Sequence, residues 1–121
     1  MFGSTLINHY STLRHVTTLT RQREAEALAA VFKVLGSPVR LRLLAVVQAA
    51  SDRGVCVCDL IDAIKLTQST VSHHMATLVR VGLVSRERRG AWVWYTLVPG
   101  GLEAARELLA TGGDESRGVS A

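Results

Sequence analysis

Two cysteines separated by one residue, Cys56 and Cys58, are the only cysteines in the 121-residue chain. Thiolate is a soft ligand, so a Cys-x-Cys pair favours soft acceptors such as As(III), Sb(III), Cd, Pb, Zn or Cu(I). On a regular helix residues i and i+2 point about 200° apart and cannot hold one atom between them. In an extended turn they point the same way. Chelation therefore predicts Cys56 at or before a helix start and Cys58 just inside it, where the helix N-terminus also favours thiolate. The plainer alternative is a pair of small buried hydrophobes at a helix start. A second group with chemistry follows. Gln68, Ser69, Thr70, Ser72, His73 and Arg80 are all hydrogen-bonding types, and Arg86, Arg88 and Arg89 form a basic cluster. Gln can pair bidentately with adenine, Ser and Thr serve bases or phosphates, and Arg forks onto phosphates and base edges.

The elements that must carry these residues can be read from periodicity and capping. A first helix starts near Thr20 and carries Ala27, Leu28, Val31, Phe32 and Leu35, ending at Gly36. Ser37-Pro38 starts a second, in which Val39, Leu41, Leu43, Leu44, Val46 and Val47 form a nearly all-round apolar helix expected to be buried. A third short helix spans Val55 to Ile64, with Val57, Leu60, Ile61 and Ile64 on its apolar face. Thr67 caps a fourth, Gln68 to about Val81, with Val71, Met75, Leu78 and Val79 inward and Gly82 closing it. His73 faces outward, whereas His74 falls nearer the Val71/Leu78 face and is expected to pack in the core. The period then changes. Leu83-Val84 and Trp92-Val93-Trp94-Tyr95-Thr96-Leu97 flank the basic turn Arg86–Ala91 and predict a hairpin. Trp92 and Trp94 share one face of it and Tyr95 takes the other, so at least one ring is expected in the core. A last helix runs from about Leu102 to Leu109. Residues 1–19 form an arm, residues 20–110 one domain and residues 111–121 a disordered tail.

The fold class is thus mainly α with a β-hairpin wing, a winged helix-turn-helix in the order α-α-α-α-β-β-α. Its two short helices are joined by the tight turn Lys65-Leu66-Thr67, and the second is polar on its outer face. Charge agrees with that geometry. The chain has 14 basic and 10 acidic residues, net +4, and residues 67–99 hold four basic groups against one acidic. This segment is where a recognition helix and wing would meet a polyanion. No apolar run is long enough to span a membrane, no secretory signal is visible, and two cysteines are too few for a disulfide framework, so a reducing cytoplasm is expected. There is no phosphate-cradling Gly loop, no Ser-His-Asp arrangement and no pair of carboxylates in an apolar setting. Cys58 with His73 is a conceivable nucleophile pair without a supporting motif. The chain does not read as an enzyme.

The stretch Gln68-Ser69-Thr70-Val71-Ser72-His73-His74-Met75, followed by Leu78-Val79-Arg80-Val81-Gly82-Leu83-Val84, resembles the recognition helix of the ArsR/SmtB family of metal-sensing repressors. The wing Arg88-Arg89-Gly90-Ala91-Trp92-Val93-Trp94-Tyr95 and Leu35-Gly36-Ser37-Pro38-Val39-Arg40-Leu41 also match. The box Val55-Cys56-Val57-Cys58-Asp59-Leu60 is similar to that of the arsenic-responsive branch. The resemblance covers about residues 24–109. It implies a homodimer on a palindromic operator in double-stranded DNA, with the first and last helices at the dimer interface. It also implies repression lifted when As(III) or Sb(III) binds Cys56 and Cys58. The same fold could instead sense a soft divalent metal (Cd or Pb), an organoarsenical or thiol oxidation, although a bridge between residues two apart is strained. The branch often supplies a third cysteine where this chain has Ile61, and the N-terminal arm has none; His9 or His15 is another possible donor. The last helix has no His and so lacks the family's other metal cluster, which disfavours zinc or nickel sensing there.

Overall fold

The computed structural model describes residues 21–110. The arm 1–19, the cap at Thr20, His9, His15 and the tail 111–121 lie outside them. The chain divides into two compact units, residues 30–102 and a smaller one to which residues 21–29 and 103–110 belong.

Helix α1 (Gln22–Leu35) enters the larger unit in its second half, where Val31 is buried and Phe32 stays 37% exposed. Helix α2 (Pro38–Ala49) begins as its sequence demands. The Ser37 hydroxyl accepts the Arg40 N–H at 3.3 Å, and Pro38 takes the first helical position, where no amide donor is needed. The expectation that α2 is buried on all sides is corrected. Only Leu43, Leu44 and Val47 are buried, while Leu41 is 51% exposed, because α2 packs through a single stripe.

A short 3-10 turn (Ser51–Arg53) leads into Gly54, whose φ of +85° only glycine adopts freely. A Cβ there would lie 2.9 Å from the Tyr95 carbonyl oxygen. This close approach lets Val55–Cys56 pair as strand β1, where the sequence alone suggests the start of a helix. β1 aligns antiparallel with β3 through Val55↔Tyr95 and Cys56↔Trp94. Tertiary pairing overrides helical periodicity for these two residues, and helix α3 is confined to Val57–Ile64. It buries Val57, Leu60 and Ile64 and ends at Lys65, which sits in the left-handed region at φ 66°.

The Thr67 hydroxyl, accepting the Thr70 N–H at 3.2 Å, opens helix α4 (Gln68–Arg80). Val71, Met75 and Leu78 are fully buried, and Thr77 is buried with its hydroxyl donating to the His73 carbonyl at 3.2 Å. The helix closes through Gly82, φ 82°, with Gly82 N–H on the Val79 carbonyl and Leu83 N–H on the Leu78 carbonyl. This double closure satisfies two terminal acceptors and turns the chain into the sheet.

Strands β2 (Val84–Arg89) and β3 (Trp92–Leu97) pair from Val84↔Leu97 to Arg89↔Trp92, giving a three-stranded sheet in the order β1-β3-β2. The predicted wide basic turn is therefore corrected. The reversal needs only Gly90 and Ala91, and Arg86, Arg88 and Arg89 belong to a strand. A positive φ at Gly90 alone suits a two-residue hairpin. Tyr95 is 2% exposed while Trp92 is 54% exposed, so the ring in the core is the tyrosine. In the smaller unit, helix α5 (Glu103–Leu109) buries Ala105 and leaves Leu109 exposed.

The core of the larger unit joins α2, α3, α4 and the sheet through Leu43, Leu60, Met75, Leu78 and Leu83, all with zero exposure. Leu60→Ala should cost about 2–5 kcal/mol of unfolding free energy, and Ser37→Ala about 1 kcal/mol, both measured by urea denaturation.

Candidate functional site

The cysteine pair sits where the chain passes from strand to helix. Cys56 is the last residue of β1 and the N-cap of α3, with φ −71° and ψ 148°, and Cys58 is the second residue of the helix. The Cys56 Sγ accepts the Cys58 N–H at 3.3 Å. An extended cap followed by the first helical turn brings i and i+2 onto one side, the arrangement that a regular helix forbids. The Cα atoms are 5.2 Å apart, and the two sulfurs are joined as a disulfide. The sequence suggested free thiols, so the bridge is a difference: extended backbone at Cys56 brings its side chain alongside that of Cys58. Cys56 is 3% exposed and Cys58 is exposed, so the pair lies at the boundary between core and surface. Among the described residues no group of three or more His, Cys, Asp or Glu side chains could hold a metal ion. Ile61, half-buried one turn further on, offers no donor. Among the described residues, the two cysteines, once reduced, could offer two thiolates to a soft acceptor.

The second cluster is displayed by α4 and the hairpin. Gln68, Ser69, His73 and Arg80 are exposed, and Thr70 and Ser72 are half-buried. Thr70 is partly committed, since the Thr67 hydroxyl donates to its Oγ1 at 2.8 Å. On β2, strand alternation divides the arginines. Arg86 and Arg88 share the face of their partners Tyr95 and Val93, whereas Arg89 lies on the opposite face with Trp92 and Trp94. Arg86 and Arg88 are exposed and make no hydrogen bond or ion pair with any described residue. Arg89 is held. Its Nε and Nη2 reach Glu87 Oε1 at 3.1 and 3.0 Å, its Nη1 donates to the Arg53 carbonyl at 3.0 Å, and its guanidinium lies 4.7 Å from the Trp94 ring centre. Through these contacts the tip end of the wing is tied to the turn that precedes the cysteines.

Sequence reasoning missed Arg40. From the first turn of α2 its Nη1 donates to the Val34 carbonyl near the end of α1 at 3.1 Å, and its Nε donates to His74 Nδ1 on α4 at 3.2 Å. One guanidinium thus joins three helices. His74 is half-buried and bound to Arg40, which corrects the expectation of a histidine packed in the core. Its pKa is lowered, first by burial, then by the Arg40 charge and then by His73, whose ring lies 5.7 Å away. A neutral His74 is what the contact requires, because Nδ1 must keep its lone pair to accept. An arginine three residues after a Ser-Pro cap is the one available signal, and it does not identify the partner.

A helix-turn-helix formed by α3 and α4, with a two-stranded wing after it, defines a winged-helix DNA-binding protein. The sequence pattern described as "Bacterial regulatory protein, arsR family" matches residues 37–86. The chain is 38% identical over 73 residues to an uncharacterized HTH-type transcriptional regulator of Methanocaldococcus jannaschii, covering 60% of this chain and 80% of that protein. It is 38% identical over 69 residues to an arsenic resistance transcriptional regulator of Pseudomonas putida, covering 57% of this chain and 52% of that protein. The chain thus spans about half the length of that arsenic-resistance relative. Among solved structures, HlyU from Vibrio cholerae superposes with a TM-score of 0.62 at 28% identity over 75% of this chain and 96% of that one, and it is also known in a reduced form. The chain belongs to the ArsR family, whose members are DNA-binding transcriptional regulators and not enzymes. Among the described residues no helix is long and apolar enough to cross a membrane.

His74 gives a pH test. Its folded pKa lies below the ordinary 6.5, so as the pH falls below that value the unfolded chain binds more protons than the folded one and stability declines. The urea midpoint should drop between pH 7 and pH 5.5. In His74→Gln, whose side-chain oxygen can still accept from Arg40, the drop should be smaller.

Proposed function

We propose that this ArsR-family regulator is a cytoplasmic homodimeric repressor of a palindromic operator, released when arsenite or antimonite is held by Cys56 and Cys58. The observation that carries the reading is the convergence of the two sulfurs at the start of α3. Soft thiolates at a helix N-terminus match a thiophilic metalloid. The relative in Pseudomonas putida described as an arsenic resistance regulator supports the same effector class. Residues 20–110 then act as the DNA-binding and dimerisation domain between the arm and the tail. Phe32 on α1 and Leu109 on α5 are each exposed, as the family's use of its first and last helices for dimerisation would require.

On DNA, α4 would enter the major groove with Gln68, Ser69, Thr70, Ser72 and His73 toward base edges and phosphates, and Arg80 toward the backbone. Arg86 and Arg88 would lie along the flanking backbone, with Arg89 fixing the wing from its place between Glu87, Arg53 and Trp94. Release follows from packing. α3 and α4 share the core residues Leu60, Ile64, Val71 and Met75. Rearranging the first turn of α3 around a chelated atom would move α4, and two recognition helices must keep a spacing of about 34 Å to fit successive major grooves.

A second reading is favoured by the bridge between Cys56 and Cys58. In it the signal is oxidation. Two thiols give up two protons and two electrons to hydrogen peroxide, which leaves as two waters, and the disulfide is the released state.

In a DNA-binding titration, Cys56→Ser and Cys58→Ser should keep operator affinity and lose release by arsenite. Release of the reduced wild type by peroxide and not by arsenite would select the second reading. Release of the serine variants by arsenite would reject the site. Arg88→Ala should weaken all sequences alike and lower the salt slope by about 1, Gln68→Ala should cost about 1–3 kcal/mol at one base position, and Arg89→Ala should leave the salt slope unchanged.

A further inference from the structure

We propose that Arg40 is a positioning residue for DNA reading, which sets the place of α4 through His74 without touching DNA itself. The inference rests on α4 being the helix that reads the duplex, and concerns what holds that helix at one rotation.

The anchor is built from the sequence outward. Ser37 caps α2 by accepting the Arg40 N–H at 3.3 Å, so the guanidinium springs from a fixed first turn. The carbonyls in the last turn of a helix have no intrahelical donor, and Val34 is one of them in α1. Arg40 Nη1 donates to that carbonyl at 3.1 Å, where a cation also complements the negative end of the helix dipole. With Nη1 held in this way, Nε donates to His74 Nδ1 on α4 at 3.2 Å, across 34 residues of sequence.

His74 sits between two residues with opposite surroundings. His73 is exposed on the outer face of α4, and Met75 is fully buried. Successive helical residues differ by about 100° in direction, so a shift at His74 turns His73 and Ser72 relative to the groove. Val71, Met75 and Leu78 hold α4 by apolar packing, which is non-directional. The charged hydrogen bond from Arg40 adds a directional restraint on its rotation. Arg40 from α2 and His73 from α4 are the charged or titratable groups that act on His74. α1 meets the pair through the Val34 carbonyl, and among the described residues neither Arg40 nor His74 forms an ion pair with a carboxylate. A proton on Nδ1 sets two donors against each other, imidazolium against guanidinium, and breaks the link.

The test compares two duplexes at fixed salt, one carrying the sequence that the wild-type chain selects from a random pool and one of unrelated sequence. The ratio of the two affinities reports reading, and circular dichroism with a urea midpoint reports folding. Arg40→Gln should lower the ratio by about tenfold, the discrimination carried by one good base contact, with the salt slope unchanged on both duplexes. His74→Leu should lower it as much, and the double variant no more than either single one, because the two side chains act as one link. His74→Asn, whose Oδ1 falls where Nδ1 lies, should keep most of the ratio. As the pH drops from 7.5 to 5.5 the wild-type ratio should fall, and that of His74→Asn should fall less. Where Arg40→Gln does not fold, Arg40→Lys takes its place, keeping the charge and losing the two-pronged reach.

An unchanged ratio in a folded Arg40 variant, or losses that add in the double variant, overturns the proposal. A salt slope lowered by about 1 on both duplexes makes Arg40 a direct phosphate contact and overturns it equally. Where Gln68→Ala lowers the ratio, such results reject the role of Arg40 alone. Where Gln68→Ala leaves the ratio unchanged as well, α4 is not the reading helix, and the proposal falls with that premise.

Discussion

The pairing of two residues, Val55 and Cys56, with Tyr95 and Trp94 determines where almost everything else in the larger unit can lie. A two-residue strand has little stability of its own, and it persists because Gly54 lets the backbone approach the Tyr95 carbonyl closely. Once the ladder is formed, the chain must leave it at Cys56 in an extended conformation, and α3 can start only at Val57. That single transition sets the direction of α3 and the position of both sulfurs. It also fixes the distance between the cysteine pair and the wing, because β1 and β2 flank the same strand, β3.

Two guanidinium groups tie separate elements of the fold together. Arg40 satisfies a carbonyl near the end of α1 and a histidine on α4, so the three helices around it share one hydrogen-bonded centre. Arg89 does the equivalent for the sheet, spanning Glu87, the Arg53 carbonyl and the Trp94 ring. Both are exceptions to the habit of reading arginine in a basic protein as a group waiting for phosphate. The surface charge available to a partner is correspondingly narrower than the composition suggests, and on the hairpin it rests on Arg86 and Arg88.

Much of this was legible in the residues. Ser37-Pro38, Thr67 and Gly82 state their helix boundaries through local chemistry, and the spacing of Val71, Met75 and Leu78 identifies the buried face of α4. The requirement that two cysteines two apart share one side led directly to a helix start at that position. What the sequence could not show depends on partners distant in the chain. Val55 and Cys56 carry no strand signal apart from β3. Leu41 looks as buried as Leu43 until the packing of α2 is known. The division of Arg88 from Arg89 follows from hairpin register, which a turn of uncertain length leaves open. His74 needed Arg40, 34 residues earlier, to explain its position.

The tight reversal at Gly90-Ala91 has one more consequence. Because the strands run in register up to Arg89↔Trp92, Arg86 and Arg88 are not loop residues sampling many positions but successive teeth on one edge of a stiff comb. Residues two apart on a strand repeat at about 6.8 Å. A wing built in this way is a short ruler, and its pitch is set by backbone pleating and not by the flexible side chains mounted on it.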